Sequence, residues 1–280
     1  MTPDGSTGRT KLSGPTEQEE GAAGPDFLQR WRTSAPPLRP PASIGSTIEA
    51  LLPPSDGMIL LLGVTPELAT IRRPVIAVDW NERMLAEVWP GDTETKSARH
   101  GDWRSMPVDP GSVAAAIGDG SLTMLRYPDD QQLVLEQLRL LLGPAGRIVL
   151  RCFAGPEQAE GLPALRQQAM AGTLTFHEFK LRFNMAVAAR HENATVVCAE
   201  LHDEFEMLIP DREALARCSG WTLATIAEMD AYRESASILS FAKRTQLEAI
   251  LPPWIKEHRF VETSGYPSAE LCPLLVIDVA

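Results

Sequence analysis

The sequence predicts an α/β fold: a doubly wound, mostly parallel sheet that ends in an antiparallel strand pair, with a helical insertion ahead of that pair. Three observations lead there. Short apolar runs stop abruptly at glycine or aspartate, as in MILLLG over 58–63 and VIAVD over 75–79; continuous runs of this kind suit strands buried on both faces. From residue 58 to residue 153 such runs alternate with helical patterns, which is the signature of parallel strands joined by crossover helices. Near the C-terminus, the strand-like segments 258–262 and 271–279 lie too close together for a parallel crossover of about a dozen residues, so they must be antiparallel.

The composition sets outer limits. The 280 residues are enough for a sizeable core, as one elaborated domain or two small ones. A net charge of −11 argues against a broad electrostatic footprint for nucleic acid or anionic membranes. Cys152, Cys198, Cys218 and Cys272 show no CxxC or CxxH spacing. Free thiols in a reducing cytoplasm are therefore expected, without a metal site. No stretch has the apolar length of a membrane span, and the first residues lack the apolar core of a secretory signal.

Residues 1–25 are rich in Gly, Pro, Ser, Thr and Glu and are expected to form a disordered tail, with order beginning near 27–31. The prolines of 35–43 favour an extended path, after which Ile44, Ile48, Leu51 and Leu52 recur at helical spacing until Pro53 and Pro54. The first strand, 58–62, ends at Gly63; Thr65 then reads as an N-cap with Pro66 at the first helical position. The second strand ends on Asp79, and Asn81 caps a helix through Val88. A weaker strand leads to Gly101-Asp102, and a fourth at 113–117 runs into Gly118-Asp119-Gly120. A helix over 128–142 is expected to turn Leu133, Leu138, Leu141 and Leu142 to the sheet, with Gly143 as its C-cap and the fifth strand at 147–153. Three further helices are expected at 158–170, 175–189 (opened by a Thr175/Glu178 capping box) and 211–218. The resulting divisions are a tail (1–25), a core (26–153), a mainly helical insertion over the carboxyl edge of the sheet (154–253) and a terminal hairpin (254–280).

Strand, glycine turn, short helix and strand-end acid together can hold a nucleoside-containing cofactor. The glycine admits a ligand beside the backbone, and the carboxylate accepts from ribose hydroxyls. Each part has an ordinary counterpart, since many αβ turns carry a glycine and Asp79 could be a solvated acid. The ordered set is more specific. ILLLGVTPEL, IAVDWNERML, GDWRSMPV, GDGSL and GPAGRIVLRCF, with the closing strand pair, resemble class I S-adenosylmethionine-dependent methyltransferases. The resemblance covers about 40–153 plus the terminal hairpin, and the GVTPEL form is similar to a bacterial subset of unassigned substrate.

This resemblance implies a Rossmann-like seven-stranded sheet with an antiparallel last strand, and S-adenosylmethionine as cofactor. It implies that Gly63, Val64, Thr65 and Pro66 lie along the methionine portion and that Asp79 accepts both ribose hydroxyls. Trp80 or Met84 would pack on the adenine; Gly101-Asp102 would reach its amine, with Trp103 alongside; Gly118, Asp119 and Gly120 would close the site beneath the sulfonium. The chain departs from the usual E/DxGxGxG motif, having one glycine and Leu61 where an acid often sits, so the contacts of the methionine amino group stay unassigned. The function implied is methyl transfer to a small-molecule acceptor, with the insertion as lid and no motif marking a base. A non-catalytic module of the same fold is the alternative. A nicotinamide-dependent oxidoreductase is disfavoured by the missing GxGxxG.

Other residues keep two readings. Trp31 with Arg39-Pro40 either folds over the cofactor or anchors the tail. His177, His191 and His202 read as surface or capping residues, and Phe176, Phe179, Phe183 and Met185 as a core stripe. Asp230, Tyr232 and Arg151 could face an acceptor, while Arg151 could equally pair with a nearby acid.

Overall fold

The computed structural model describes residues 31–279. The expected tail and most of the expected onset of order lie outside them. Helix α1, Ala42–Leu51, precedes β1, Ile59–Leu62; the four-residue helix α2, Pro66–Ala69, leads to β2, Val75–Asp79. Pro66 stands at the head of α2, but the Thr65 side chain makes no capping bond. Asn81 Oδ1 does cap, accepting from the N–H groups of Arg83 (2.9 Å) and Met84 (3.3 Å) ahead of the π-helical turn Met84–Val88. Then come β3, Lys96–His100; β4, Val113–Asp119; helix α3, Asp129–Leu141; and β5, Leu142–Arg151. Strands β8, Ile255–Val261, and β9, Leu274–Val279, close the chain.

These seven strands form one sheet in the order β3-β2-β1-β4-β5-β9-β8. β1 to β5 pair in parallel, and β9 is antiparallel to both neighbours. Alternation along β1 explains the two-faced core: Leu60 and Leu62 join Val134 and Leu138 on one side, while Ile59 and Leu61 join Ile44 and Ile48 on the other. The edge strands β3 and β8 carry lysine, arginine and histidine and are only partly buried, which discourages further pairing. Because β2 and β4 flank β1 on opposite sides, the chain order reverses there and opens a crevice at the carboxyl ends of β1 and β4.

Two sequence expectations need correction. Leu133 is 41% exposed, and α3 buries Gln131, Val134, Leu135, Leu138 and Leu141 instead. Leu133 and Leu138 are five positions apart, about 140° around a helix, and so cannot share a face. Gly143 is not the C-cap of α3. Leu142 leaves the helix straight into β5 and pairs with Val113, and the 143–146 stretch bulges before Arg147 pairs with Ala115.

Between β5 and β8 the chain builds a helical layer: α4, Leu162–Met170; α5, Phe176–Ala188; α6, Cys198–Leu208; α7, Arg212–Ser219; and α8, Leu223–Ile226. The Thr175 hydroxyl caps α5 by accepting from Glu178 N–H at 3.2 Å. Phe179 stacks on Phe183 and Phe205 meets both edge-to-face at the centre of this layer, so the stripe on α5 is core as read. Helix α6 escaped the sequence reading. So did the two-stranded pair of β6, Thr195–Val197, with β7, Ile238–Ser240, whose partners are some forty residues apart. Helix α9, Arg244–Ala249, returns the chain to the sheet. Among the described residues no helix is long and apolar enough to cross a membrane, and all four cysteines are free.

Candidate functional site

At the carboxyl end of β1, Gly63 takes a left-handed φ of +85°. A side chain there would meet the Trp103 ring at 3.3 Å and Asp79 Oδ2 at 3.6 Å, so turn, acid and indole converge on one point. The positive φ favours glycine here, and any side chain would also press on the indole. Asp79 is 6% exposed and, among the described residues, has no ion-pair partner. Oδ2 accepts from Val64 N–H at 3.1 Å and Oδ1 from Asn81 N–H at 2.8 Å. Burial pushes its pKa up to about 6, against the opposing pull of those two N–H groups and of His100. The Trp103 indole N–H donates to Val78 O at 2.6 Å, the same carbonyl that takes Gly63 N–H at 2.8 Å.

The neighbouring positions are partly engaged elsewhere. Thr65 is buried beside Pro66. Trp80 and Met84 are partly exposed, and Trp80 O is bonded to His100 Nε2 at 2.8 Å. Gly101 N–H donates to Asp79 O, which fixes the start of the 101–107 loop. Asp102 turns to its own loop: its carboxylate pairs with Arg104 at 2.6 Å, and that guanidinium holds it below the usual range despite partial burial.

At the ends of β4 and β5 the chemistry differs. Gly118 abuts Ser121 Oγ, a buried hydroxyl without a partner among the described residues. Gly120, also left-handed, faces Phe153, whose ring would lie 2.9 Å from an added Cβ. Asp119 pairs at 2.6 Å with Arg151, which is fully buried. The reading of Arg151 as the partner of a nearby acid is therefore the one observed. Its other donors reach Tyr266 Oη and Pro37 O.

That last contact introduces partners that no sequence pattern marked, beside Trp31 and Arg39, which the sequence singled out. The 31–40 segment lies across the carboxyl edge of the sheet. Arg39 pairs with Glu67 of α2 at 2.6 Å and packs over the Trp31 ring; Pro37 O meets Arg151; and Thr33 donates to Glu228 at 3.4 Å. Glu67 Oε2 is buried without a partner among the described residues, and the charge of Glu67 is felt at Asp119. Motif spacing cannot reveal these contacts, because they join segments 28 to 195 residues apart.

The helical layer corrects two histidine readings. His191 is partly exposed at the surface and bonded to Glu200, as expected. His177 and His202 are buried, their ring nitrogens near Glu228 (3.7 Å) and Asp230 (3.5 Å), because the layer packs a second tier over their helices. Tyr232 is tied to Asn184 at 3.2 Å, and Asp230 to Arg212. His202, Glu206 and Asp230 have ligand atoms within 4.8 Å of one another, but Arg212 already bridges the two carboxylates as the cation of that cluster.

No family model matches the chain, and no curated protein does. Solved structures resemble it in fold. One from Rhodobacter sphaeroides, provisionally described as a Zn-dependent alcohol dehydrogenase, has a TM-score of 0.61 at 12% identity, over 95% of this chain and 100% of that one. A complex of the Haloferax volcanii Trm112 methyltransferase activator with a provisionally described methyltransferase gives 0.49 at 14% identity, over 96% and 99%. A SAM-dependent methyltransferase structure from Methanosarcina mazei gives 0.47 at 14% identity, over 83% and 95%. At such identities the likeness concerns the fold: a seven-stranded, mostly parallel Rossmann-like sheet with one antiparallel strand.

Proposed function

We propose that the chain is an S-adenosylmethionine-dependent methyltransferase acting on a small-molecule acceptor. The observation that carries this reading is Asp79. It is a buried carboxylate with no ion-pair partner among the described residues, held by two backbone N–H groups beside a left-handed glycine at the point where strand order reverses. Each of its oxygens keeps an acceptor site, which suits a ribose diol. The surroundings suit a polar ligand, because Glu67 Oε2, whose carboxylate is otherwise taken by Arg39, and Ser121 Oγ are buried polar atoms without partners among the described residues. On this reading Gly63, Val64, Thr65 and Pro66 line the methionine portion, and Asp79 takes the ribose. Trp80, Met84, Gly101, Asp102 and Trp103 surround the adenine, and Gly118, Asp119 and Gly120 lie beneath the sulfonium.

When bound, the cofactor supplies an electrophilic methyl group. The chain's own task is alignment and exclusion of water. The helical layer and the 31–40 segment supply walls for that purpose, and the negative net charge supports a small acceptor over nucleic acid.

A nicotinamide dinucleotide fits less well. Its pyrophosphate needs several backbone N–H groups at a helix start, whereas α2 has four residues and begins with proline. The second reading, a binding module without turnover, draws on the closed end of the crevice, where Phe153 covers Gly120 and Arg151 neutralises Asp119.

Calorimetric titration with S-adenosylmethionine, and separately with NAD, tests the assignment. Micromolar binding of the former alone is expected. Binding of NAD alone overturns the methyltransferase reading. With binding in hand, mass spectrometry of amine, phenol and carboxylate acceptors separates enzyme from module: methylated product supports the enzyme, and none across the panel supports the module.

A further inference from the structure

We propose a second ligand site, separate from the crevice at Asp79, that takes a small organic cation with an apolar body. It is a cavity of about 570 Å³ where three segments meet: the stretch leaving β5 (155–157), the end of α5 with its turn into β6 (185–194), and the entry to α9 (241–246). Small-molecule pockets span about 300–1,000 Å³, so the volume is of the right order. None of its walls comes from the crevice residues at the ends of β1, β2 and β4, and the proposal does not depend on the cofactor reading. The three segments are fastened to one another. Gly155 N–H donates to Ala242 O at 3.2 Å, and a side chain at Gly155 would lie 2.5 Å from Phe241 O, so the first and third are locked together. Phe241 N–H donates to Ala194 O at 2.8 Å, which ties in the second. Ala194 holds a left-handed φ of +50°, uncommon for a residue with a Cβ, and such strain gathers at ligand sites.

The lining decides the ligand. Met185, Ala194 and Phe241 are buried and supply its apolar part. Its cations are already matched by acids. Lys243 donates to Glu157 O at 2.8 Å and lies 3.8 Å from the carboxylate of that residue. Arg190 pairs with Glu204 at 2.8 Å, and His191 with Glu200 at 2.8 Å. Glu192 is exposed and has no ion-pair partner among the described residues. Four carboxylates (Glu157, Glu192, Glu200 and Glu204) thus stand against two permanent cations, Lys243 and Arg190, and the surplus is negative. An ammonium group set at Glu192, with its hydrocarbon portion on the apolar lining, answers both features. Burial of that portion supplies affinity, and the carboxylate selects the sign of the charge.

The test is calorimetric titration of the full chain with three probes of one shape: phenethylamine, phenethyl alcohol and phenylacetate. The amine should bind saturably and about fivefold more tightly than the alcohol, with phenylacetate the weakest. Glu192→Gln should remove the advantage of the amine over the alcohol. Ala189→Phe, which adds a ring to the lining at an exposed position, should abolish binding of all three probes. Thermal unfolding of both variants should match the parent, which separates a lost site from a lost fold. Saturating S-adenosylhomocysteine should leave the amine's affinity unchanged. Equal affinity for amine and phenylacetate, undiminished binding by either variant, displacement by S-adenosylhomocysteine, or no saturable binding overturns the proposal. Amine binding in a chain that fails to take S-adenosylmethionine supports this site while removing the cofactor reading.

Discussion

Asp79 and Asp119 stand at equivalent places, each the last residue of a parallel strand beside β1, yet the molecule treats them in opposite ways. Asp119 is met by a fully buried guanidinium, and Arg151 is itself tied to Pro37 O and Tyr266. Burial disfavours the charge on Arg151, but Asp119 together with Cys272 and Tyr266 outweighs that and holds its proton more firmly than usual. Among the described residues Asp79 is held by two backbone N–H groups and the weaker pull of His100, and burial lifts its pKa to about 6. A strand-tip acid that is stapled serves the fold. One left without a cation costs stability, and such a cost is typical of a binding site.

The strongest way to break this contrast is to remove the staple. Arg151→Met should destabilise the chain by about 3–5 kcal/mol in urea unfolding, since it strands a buried carboxylate. Adding Asp119→Asn should recover most of the loss. If the single variant unfolds at the parent's midpoint, the pair is not the staple described here.

The next effect comes from Asp79 and depends on pH. Its pKa is raised from 3.8 to about 6 on folding, so its contribution to stability is fully present below 3.8 and is lost as pH rises through about 6. The span of the shift corresponds to about 3 kcal/mol. Stability of the parent relative to Asp79→Asn should therefore improve by up to that amount between pH 7 and pH 4, as read by unfolding at each pH. A flat difference would mean Asp79 is better hydrated than its burial implies.

Binding should follow the same contrast. Asp79→Ala is expected to weaken S-adenosylmethionine by ten- to a hundredfold, about 1.5–3 kcal/mol for losing charge-assisted ribose bonds, measured by calorimetry. Affinity equal to the parent's would remove Asp79 from the site. The smallest effect belongs to Arg39→Met. Its pair with Glu67 is partly exposed, so a loss of about 1 kcal/mol in unfolding is expected, well short of the Arg151 staple.

Much of this was legible in the residues. The runs ending at Gly63, Asp79 and Gly118 gave the strands of the switch point because strands buried on both faces must be apolar throughout and must stop at a residue that tolerates the turn. Short spacing forced the last two strands antiparallel, and Thr175 with Glu178 marked a helix start, since a cap is a local hydrogen bond. Misjudgements arose where a face or a partner had to be chosen. Leu133 was assigned to the core because it is leucine, although helical geometry turns it outward.

By itself, then, the sequence determined the order of the elements of the core sheet and the strand-end acid Asp79, because periodicity, turns and caps are local. Only the tertiary structure decided which strand-end acid is paired. Arg151 reaches Asp119 across neighbouring strands, Pro37 and Arg39 reach Arg151 and Glu67 from a segment ahead of α1, and Trp103 comes to rest on Gly63 from a loop forty residues on. Partner choice of that kind depends on distances in the folded sheet, which no spacing along the chain encodes.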